Sequence, residues 1–337
     1  MAADPERHPP ASVPHPGLLL LAGPTAVGKS GIALRLAEDL GGEIVSVDSM
    51  QVYRGMDIGT AKPSPADRAR VLHDLIDVVE VTDPFDAAQF LCLAHQAVAD
   101  IQSRGRLPIL CGGTGMYFKA FLEGLGPAPP ADAALRAELA AAPLAELLRE
   151  LAARDPATYE RIDRQNPRRV IRAVEVIRLT GQPFSAQRAN WDHAPRTTHH
   201  AAHGIGIARS APDLHQRIEA RVDAMFRRGW VAETEQLLQR GLAENKIAMQ
   251  ALGYRQIVEH LRGERSLPET IALVKVRTRR FAKRQMTWFR RQLQLTWLNL
   301  APEDTAEAVA RTLAGAWLPG EPAPESPREG TRPTVGL

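Results

Sequence analysis

The sequence predicts an α/β fold, a parallel sheet flanked by helices with a helical insertion and a helical C-terminal region. Three observations carry this. Short apolar runs end in turns rich in glycine or aspartate, helical spacing follows the first of them, and the pattern becomes alanine- and leucine-rich from residue 127. A chain of 337 residues can bury one sizeable core and a smaller second unit.

Residues 1–17 hold five prolines without periodicity and are expected to be disordered. Leu18 to Ala22 reads as a buried strand. The loop Gly23, Pro24, Thr25, Ala26, Val27, Gly28, Lys29, Ser30 follows, then Ile32, Ala33, Leu36 and Leu40 at helical spacing, with Gly41 and Gly42 as the stop. Glu43 to Val47 forms a second strand ending at Asp48 and Ser49. Leu107 to Cys111 forms another, ending at Gly112, Gly113 and Thr114. From Pro127 to about Trp191 the pattern is that of a helical insertion, and His203 to Ile207 returns the chain to the sheet. Leu214, Ile218, Val222 and Phe226 then share a helix face. The proposed units are a core of residues 18–126 and 201–317, an insertion of residues 127–200, and a disordered tail of residues 318–337.

Gly23 to Ser30 spells G-x-x-x-x-G-K-[ST] between strand and helix, the context that makes the motif meaningful and the fold P-loop NTPase-like. Backbone N–H groups and the helix N-terminus favour a phosphate chain there, Lys29 adds a charge and Ser30 a hydroxyl for Mg²⁺. Because ligands lie beyond the carboxyl ends of parallel strands, Lys29, Asp48 and Thr114 fall on one edge. Asp48 can hold Mg²⁺ through water, accept a proton from a nucleophile, or cap its turn. No second apolar strand ends in an acidic residue as a Walker B motif would, which weakens an ATPase reading.

The net charge is only +3, but the basic residues cluster. Arg168, Arg169 and Arg172 open a helix at Asn166 and Pro167. Lys275, Arg277, Arg279, Arg280, Lys283, Arg284, Arg290 and Arg291 share a stretch with Phe281, Trp288 and Phe289 and no acidic residue. Cations among flat rings suit single-stranded nucleic acid, while a solvated face with core-packing aromatics is the alternative. Cys92 and Cys111 read as core residues of a reducing compartment. No stretch reaches membrane-spanning length, so a soluble, cytoplasmic protein is expected. His199, His200 and His203 lack cysteine partners, which argues against structural zinc.

Gly23 to Ser30, Ser46 to Pro63, Gly112 to Tyr117, Asn166 to Arg172, Met249 to Arg255 and Lys283 to Arg290 together resemble the tRNA dimethylallyltransferase family, over about residues 18 to 300. Asp163, Arg164 and Gln165 depart from the family's common His-Pro-Asn. The resemblance implies transfer of a dimethylallyl group from dimethylallyl diphosphate to the N6 amine of the adenosine 3′ of the anticodon, in tRNAs reading codons that begin with U. It implies Asp48 as base, and Lys29, Ser30 with Mg²⁺, Thr114 and Arg136 at the departing diphosphate. It also implies tRNA contacts from Asp48, Ser49, Met50, Gln51, Thr114 and Arg136, from Arg168, Arg169, Val170, Ile171 and Arg172, and from Gln250, Ala251, Leu252, Gly253, Tyr254 and Arg255. Lys283, Arg284, Gln285, Met286, Thr287, Trp288, Phe289 and Arg290 complete that set. The partners expected are tRNA, through its anticodon stem-loop, and the diphosphate donor, with no membrane and a monomeric enzyme. A prenyltransferase of free adenine nucleotide, a P-loop small-molecule or nucleotide kinase, and an inert RNA-binding protein are the rival readings.

Overall fold

The computed structural model describes residues 17–187 and 201–317. The expectations for residues 1–16 and 318–337, for the end of the insertion, and for zinc at His199 and His200 lie outside the described residues, as does the His203 side chain. Gly17, placed in the N-terminal extension, already opens the first strand.

The chain begins β1 (Gly17–Ala22), α1 (Lys29–Leu40), β2 (Gly42–Val47), α2 (Pro65–Arg70), β3 (His73–Asp74), α3 (Ala87–Ser103), β4 (Leu107–Gly112) and α4 (Gly115–Glu123). Five helices follow: α5 (Ala133–Ala141), α6 (Leu144–Arg154), α7 (Pro156–Arg161), α8 (Pro167–Thr180) and α9 (Phe184–Gln187). The chain then re-enters the sheet as β5 (Ala201–Arg209) and continues with α10 (Ala211–Arg227), α11 (Trp230–Gln239), α12 (Tyr254–Leu261), α13 (Leu267–Gln292), β6 (Thr296–Leu300) and α14 (Ala306–Trp317).

All described strands are parallel, in the order β3-β2-β4-β1-β5-β6. Helices cover both faces of such a sheet, which is why the central strands read as unbroken apolar runs rather than alternating ones. Every residue of β2 and β4 is buried. The sheet expected from sequence is present, with two edge strands the apolar runs did not reveal. β3 has only two residues, and in β6 only Leu300 is fully buried. The strand order turns at β1, which pairs Leu19 with Ile109 of β4 and with His203 of β5. The loop leaving β1 therefore stands at the carboxyl edge between two neighbours reached from opposite directions, the usual place for a ligand.

Local signals set the ends of the helices that matter here. α1 starts after Gly28, at φ 107°, and stops at Gly41, at φ 63°, a left-handed conformation that glycine adopts without steric cost. α8 starts where the Asn166 side chain accepts the Arg169 N–H and Pro167 fixes the first helical φ. α13 opens with a capping box in which Ser266 and Glu269 satisfy each other's backbone N–H groups. Its buried positions Val274, Thr278, Ala282, Gln285 and Phe289 form one face, so the basic residues between them are driven outward.

The main core runs through the sheet and its covering helices, whereas Leu139, Leu147, Leu151, Val170, Ala173, Val174 and Ile177 form a separate core within α5–α8. Cys111 is buried as expected, but Cys92 is exposed, because the inward face of α3 is taken by Phe90, Ala94, Ala97, Val98 and Ile101. On α10 the buried face runs Leu214, Ile218, Val222 and Met225, and Phe226 is only half-buried, against Trp230. Among the described residues no helix is long and apolar enough to cross a membrane.

Candidate active site

The turn after β1 wraps tightly enough that Ala26, at φ 65°, and Gly28 both take left-handed backbone conformations. A Cβ on Gly23 would sit 2.8 Å from the Ile207 carbonyl, so the loop is pressed directly onto β5. Four side chains then fix it, three of them from outside the loop. Gln285 Oε1 accepts the Thr25 N–H at 2.9 Å, Lys29 Nζ donates to Pro24 O at 3.1 Å, Arg217 Nε donates to Ala26 O at 3.0 Å, and Arg209 Nε donates to Val27 O at 2.9 Å. These bonds engage the Pro24, Ala26 and Val27 carbonyls and fix the direction of the loop amides, which limits the reorganisation that binding requires.

The ends of β2 and β4 are joined to the same loop. Gly113 N–H and Thr114 N–H both donate to Val47 O, and Gln285 Nε2 donates to Gly113 O at 2.9 Å, so one amide side chain ties the turn after β1 to the turn after β4. Thr114 Oγ1 accepts the Ser49 N–H at 3.1 Å. Asp48 Oδ1 accepts the N–H groups of Met50 at 2.8 Å and Gln51 at 3.3 Å. The capping alternative for Asp48 is therefore real, and it occupies one carboxylate oxygen only. Among the described residues Oδ2 has no protein partner, and Asp48 borders a cavity of about 1020 Å³ with Lys29, Ser30 and Thr114. Burial pushes the Lys29 ammonium below its ordinary pKa, a trend opposed by the Asp48 carboxylate and reinforced by the Arg221 guanidinium.

Arg209, Arg217 and Arg221 were not recognised in the sequence. Arg209 is almost completely buried, with Asp213 and the Ala301 carbonyl as further partners. Arg217 and Arg221 lie one turn apart on α10 and border, with Lys29 and Ser30, a second cavity of about 330 Å³ on the outer side of the loop. Burial disfavours the charged form of both; Arg209 also pushes Arg217 down, while Asp48 pulls Arg221 up. Guanidiniums stay charged in proteins, so this crowd of cations around an amide-lined loop is relieved by an anion. The available signal was their i, i+4 spacing on the helix that follows the carboxyl end of β5.

The expected RNA-contacting residues divide by burial. Ser49, Met50, Gln51, Arg168, Gln250, Ala251, Leu252, Arg255, Arg284 and Gln285 border the larger cavity, whose mouth also carries Lys246, Arg277 and Arg280. Arg168 of α8 donates to Gln250 Oε1 across that mouth. Lys283, Thr287, Arg290 and Arg169 are exposed outside it. Val170, Tyr254 and Phe289 are corrections, since all three are fully enclosed and no RNA reaches them. Val170 sits in the core of α5–α8, Tyr254 stands edge-on to Trp230, and Phe289 meets Phe118 edge-on. Ile171 packs half-buried on that second core, and Gly253 is wedged against Trp230 with no space for a Cβ. Trp288 covers Gly115, so its ring serves packing, and half-buried Met286 lies outside the cavity. Gln285 reaches the cavity, but its amide is spent on Thr25 and Gly113.

Arg136 is likewise away from the phosphate loop. It pairs at 2.9 Å with Glu175, a fully buried carboxylate of α8 that also takes Arg172 Nη1 at 2.6 Å and the Asp132 N–H at 2.9 Å. Arg172 further donates to Pro129 O, so this cluster pins the connection into α5 onto α8. Burial alone would raise the Glu175 pKa, yet the bonds from Arg172, Arg136 and Asp132 outweigh it and leave the carboxyl below its ordinary value. A depressed folded-state pKa contributes stability that is present above the unfolded value, roughly 4.3, and lost as pH falls through the folded one. Glu175→Gln is therefore expected to cost about 1–3 kcal/mol at pH 7, the lower range because both arginines can turn to water. Thermal melts should show the gap to the unsubstituted protein closing toward pH 4.

Comparison with known proteins shows the family. The family model described as IPP transferase matches residues 51–292. The chain is 45% identical over 293 residues to tRNA dimethylallyltransferase 2 of Geotalea uraniireducens, covering 86% of this chain and 94% of that one. It is 44% identical over 305 residues to the tRNA dimethylallyltransferase of Desulforudis audaxviator, covering 89% and 97%. Its fold is similar to that of the full-length tRNA isopentenylpyrophosphate transferase of Bacillus halodurans, with TM-score 0.65 and 37% identity over 90% of this chain and 97% of that one. A eukaryotic dimethylallyltransferase captured acting on tRNA gives TM-score 0.71 and 26% identity, covering 84% and 73%.

Proposed function

The chain belongs to the IPP transferase family and is a dimethylallyltransferase acting on tRNA, and from that premise we propose how its own residues carry out the transfer. The donor is dimethylallyl diphosphate. The acceptor is the N6 amine of the adenosine 3′ of the anticodon, in tRNAs reading codons that begin with U, and the products are N6-dimethylallyladenosine and diphosphate. The observation that supports this most is that Lys29, Asp48 and Thr114 border one cavity with the phosphate loop on one side and a basic mouth on the other.

The diphosphate occupies the loop from Gly23 to Ser30, where its charge meets the loop amides, Lys29, and the guanidiniums of Arg217 and Arg221. As the allylic C–O bond breaks, negative charge grows on the leaving oxygens, and fixed donors aimed there lower the barrier more than they tighten the ground state. The Ser30 hydroxyl is exposed beside Lys29, and one hydroxyl plus phosphate oxygens and water is a donor set that suits Mg²⁺, which would neutralise diphosphate charge. Asp48 receives the N6 proton on Oδ2 while Oδ1 keeps the turn in place. That amine is a weak nucleophile because its lone pair is delocalised into the ring, so a held base matters. An adenosine stacked in an anticodon loop cannot reach this depth and has to be flipped out, at a cost of a few kcal/mol. Arg168, Arg255, Arg277, Arg280 and Arg284 at the mouth offset that cost through the flanking phosphates.

The test is incubation of purified protein and Mg²⁺ with unmodified tRNA and either dimethylallyl diphosphate or ATP, followed by mass spectrometry of the digested nucleosides. Prenylated adenosine with the diphosphate donor alone is the expected result. Prenylation of free adenine nucleotide in place of tRNA, or consumption of ATP without prenylation, would overturn the reading.

A further inference from the structure

Glu233 lies in the first turn of α11, outside the catalytic cavity, and spends its carboxylate on a distant loop. Oε2 accepts the N–H of Asp57 at 3.0 Å and of Ile58 at 2.6 Å, while Oε1 accepts the N–H of Gly59 at 3.3 Å and the hydroxyl of Tyr254 at 2.7 Å. Three consecutive backbone amides thus converge on one anion, the arrangement that elsewhere holds a bound phosphate, here filled by a side chain of the protein. The loop is also clamped sterically, because Gly59 lies so close to Trp230 and Tyr254 that a Cβ has no space.

What this anchored loop does next leads to the catalytic carboxylate. Gly59, Thr60 and Ala61 border the cavity. The carbonyls of Thr60 and Ala61 accept Gln51 Nε2 at 3.1 and 3.3 Å, and Gln51 Oε1 accepts the Ser46 hydroxyl at 2.8 Å. The backbone N–H of Gln51 in turn donates to Asp48 Oδ1. Hydrogen bonds and the short backbone stretches between them therefore link Glu233, the amides of 57–59, the carbonyls of 60 and 61, Gln51 and Asp48. This run also reassigns Gln51, whose side-chain amide is committed to the loop rather than free to read a base. The phosphate loop is held by Gln285, Arg217 and Arg209, none of which belongs to this run.

We propose that Glu233 is a positioning residue for the RNA acceptor, fixing the cavity wall that faces the flipped base and, through Gln51, the orientation of Asp48, without acting on the diphosphate donor. The inference rests on the prenyl-transfer reading. Loss of even one properly aimed hydrogen bond to a charged group corresponds to about a tenfold effect or more. Glu233→Gln keeps the size of the side chain but removes the charge and turns an NH₂ toward backbone N–H groups.

The experiment measures kcat and KM for an anticodon stem-loop RNA, and the dissociation constant for inorganic pyrophosphate by calorimetry, in the unsubstituted enzyme, Glu233→Gln and Tyr254→Phe. Glu233→Gln should lower kcat/KM for the RNA about tenfold or more, with pyrophosphate affinity within about twofold of the unsubstituted value. Tyr254→Phe, which removes one donor and leaves the amide contacts, should show the same split at about threefold and remains informative if Glu233→Gln does not fold. Equal losses toward RNA and pyrophosphate, or a lower melting temperature with unchanged constants per folded molecule, would assign Glu233 a structural role only and overturn the proposal. Absence of transfer by the unsubstituted enzyme would instead count against the reaction itself.

Discussion

Asp48→Ala should lower turnover by about 10²- to 10⁴-fold, the range a positioned general base supplies, with RNA affinity nearly intact. Alanine alone is ambiguous, because it deletes both the turn contacts and the proposed base. Oδ1 holds the turn through Met50 and Gln51, and loss of such a cap costs about 1 kcal/mol. Oδ2 is the proposed proton acceptor. Asp48→Asn separates the two, since its amide oxygen can still accept both N–H groups while its NH₂ cannot take a proton. The expectation is that Asn folds like the unsubstituted protein and loses turnover as deeply as Ala. Single-turnover rates with saturating RNA and donor are the measurement. Restoration of activity by Asn would reduce Asp48 to a turn residue and remove it from the chemistry.

How much of this was legible in the sequence depended on whether a feature is contiguous or spread over a helix face. The phosphate loop, flanked by its strand and helix, was readable in a single stretch, and the carboxyl-edge rule placed Asp48 and Thr114 beside it without a structure. The basic blocks were readable as blocks but not residue by residue. Gln285 and Phe289 lie among arginines, yet they continue the buried face of Val274, Thr278 and Ala282, so helical period and not local charge decides where they point. Val170 and Tyr254 entered as members of blocks that resemble the family's, although their side chains build cores. Arg217 and Arg221 failed to stand out for the opposite reason, being spaced one turn apart among the apolar and acidic residues of α10. Arg136 shows what a motif position cannot reveal, since its partner Glu175 comes from another helix.

Lys29→Ala should weaken pyrophosphate binding and lower turnover by about 10²- to 10³-fold, comparable to removal of one oxyanion donor in a preorganised site. The effect on turnover should exceed the effect on binding. Lys29 Nζ donates to Pro24 O, and burial disfavours its charge, so the ammonium gains from a counter-charge. Bound donor supplies that counter-charge, and bond cleavage increases it, so the interaction is strongest where the barrier lies. Arg217 and Arg221 remain in the variant and keep part of the ground-state affinity. Both come from α10; Arg221 shares with Lys29 the cavity that holds Asp48 and Thr114, whereas Arg217 borders only the smaller of the two cavities. Lys29→Arg should rescue little, because a planar guanidinium cannot occupy the point position of an ammonium folded back against the loop. Calorimetric titration with pyrophosphate beside single-turnover kinetics gives both quantities. A variant that loses affinity but keeps its single-turnover rate at saturation would place Lys29 in binding alone and shift the stabilisation of the leaving charge to the two arginines.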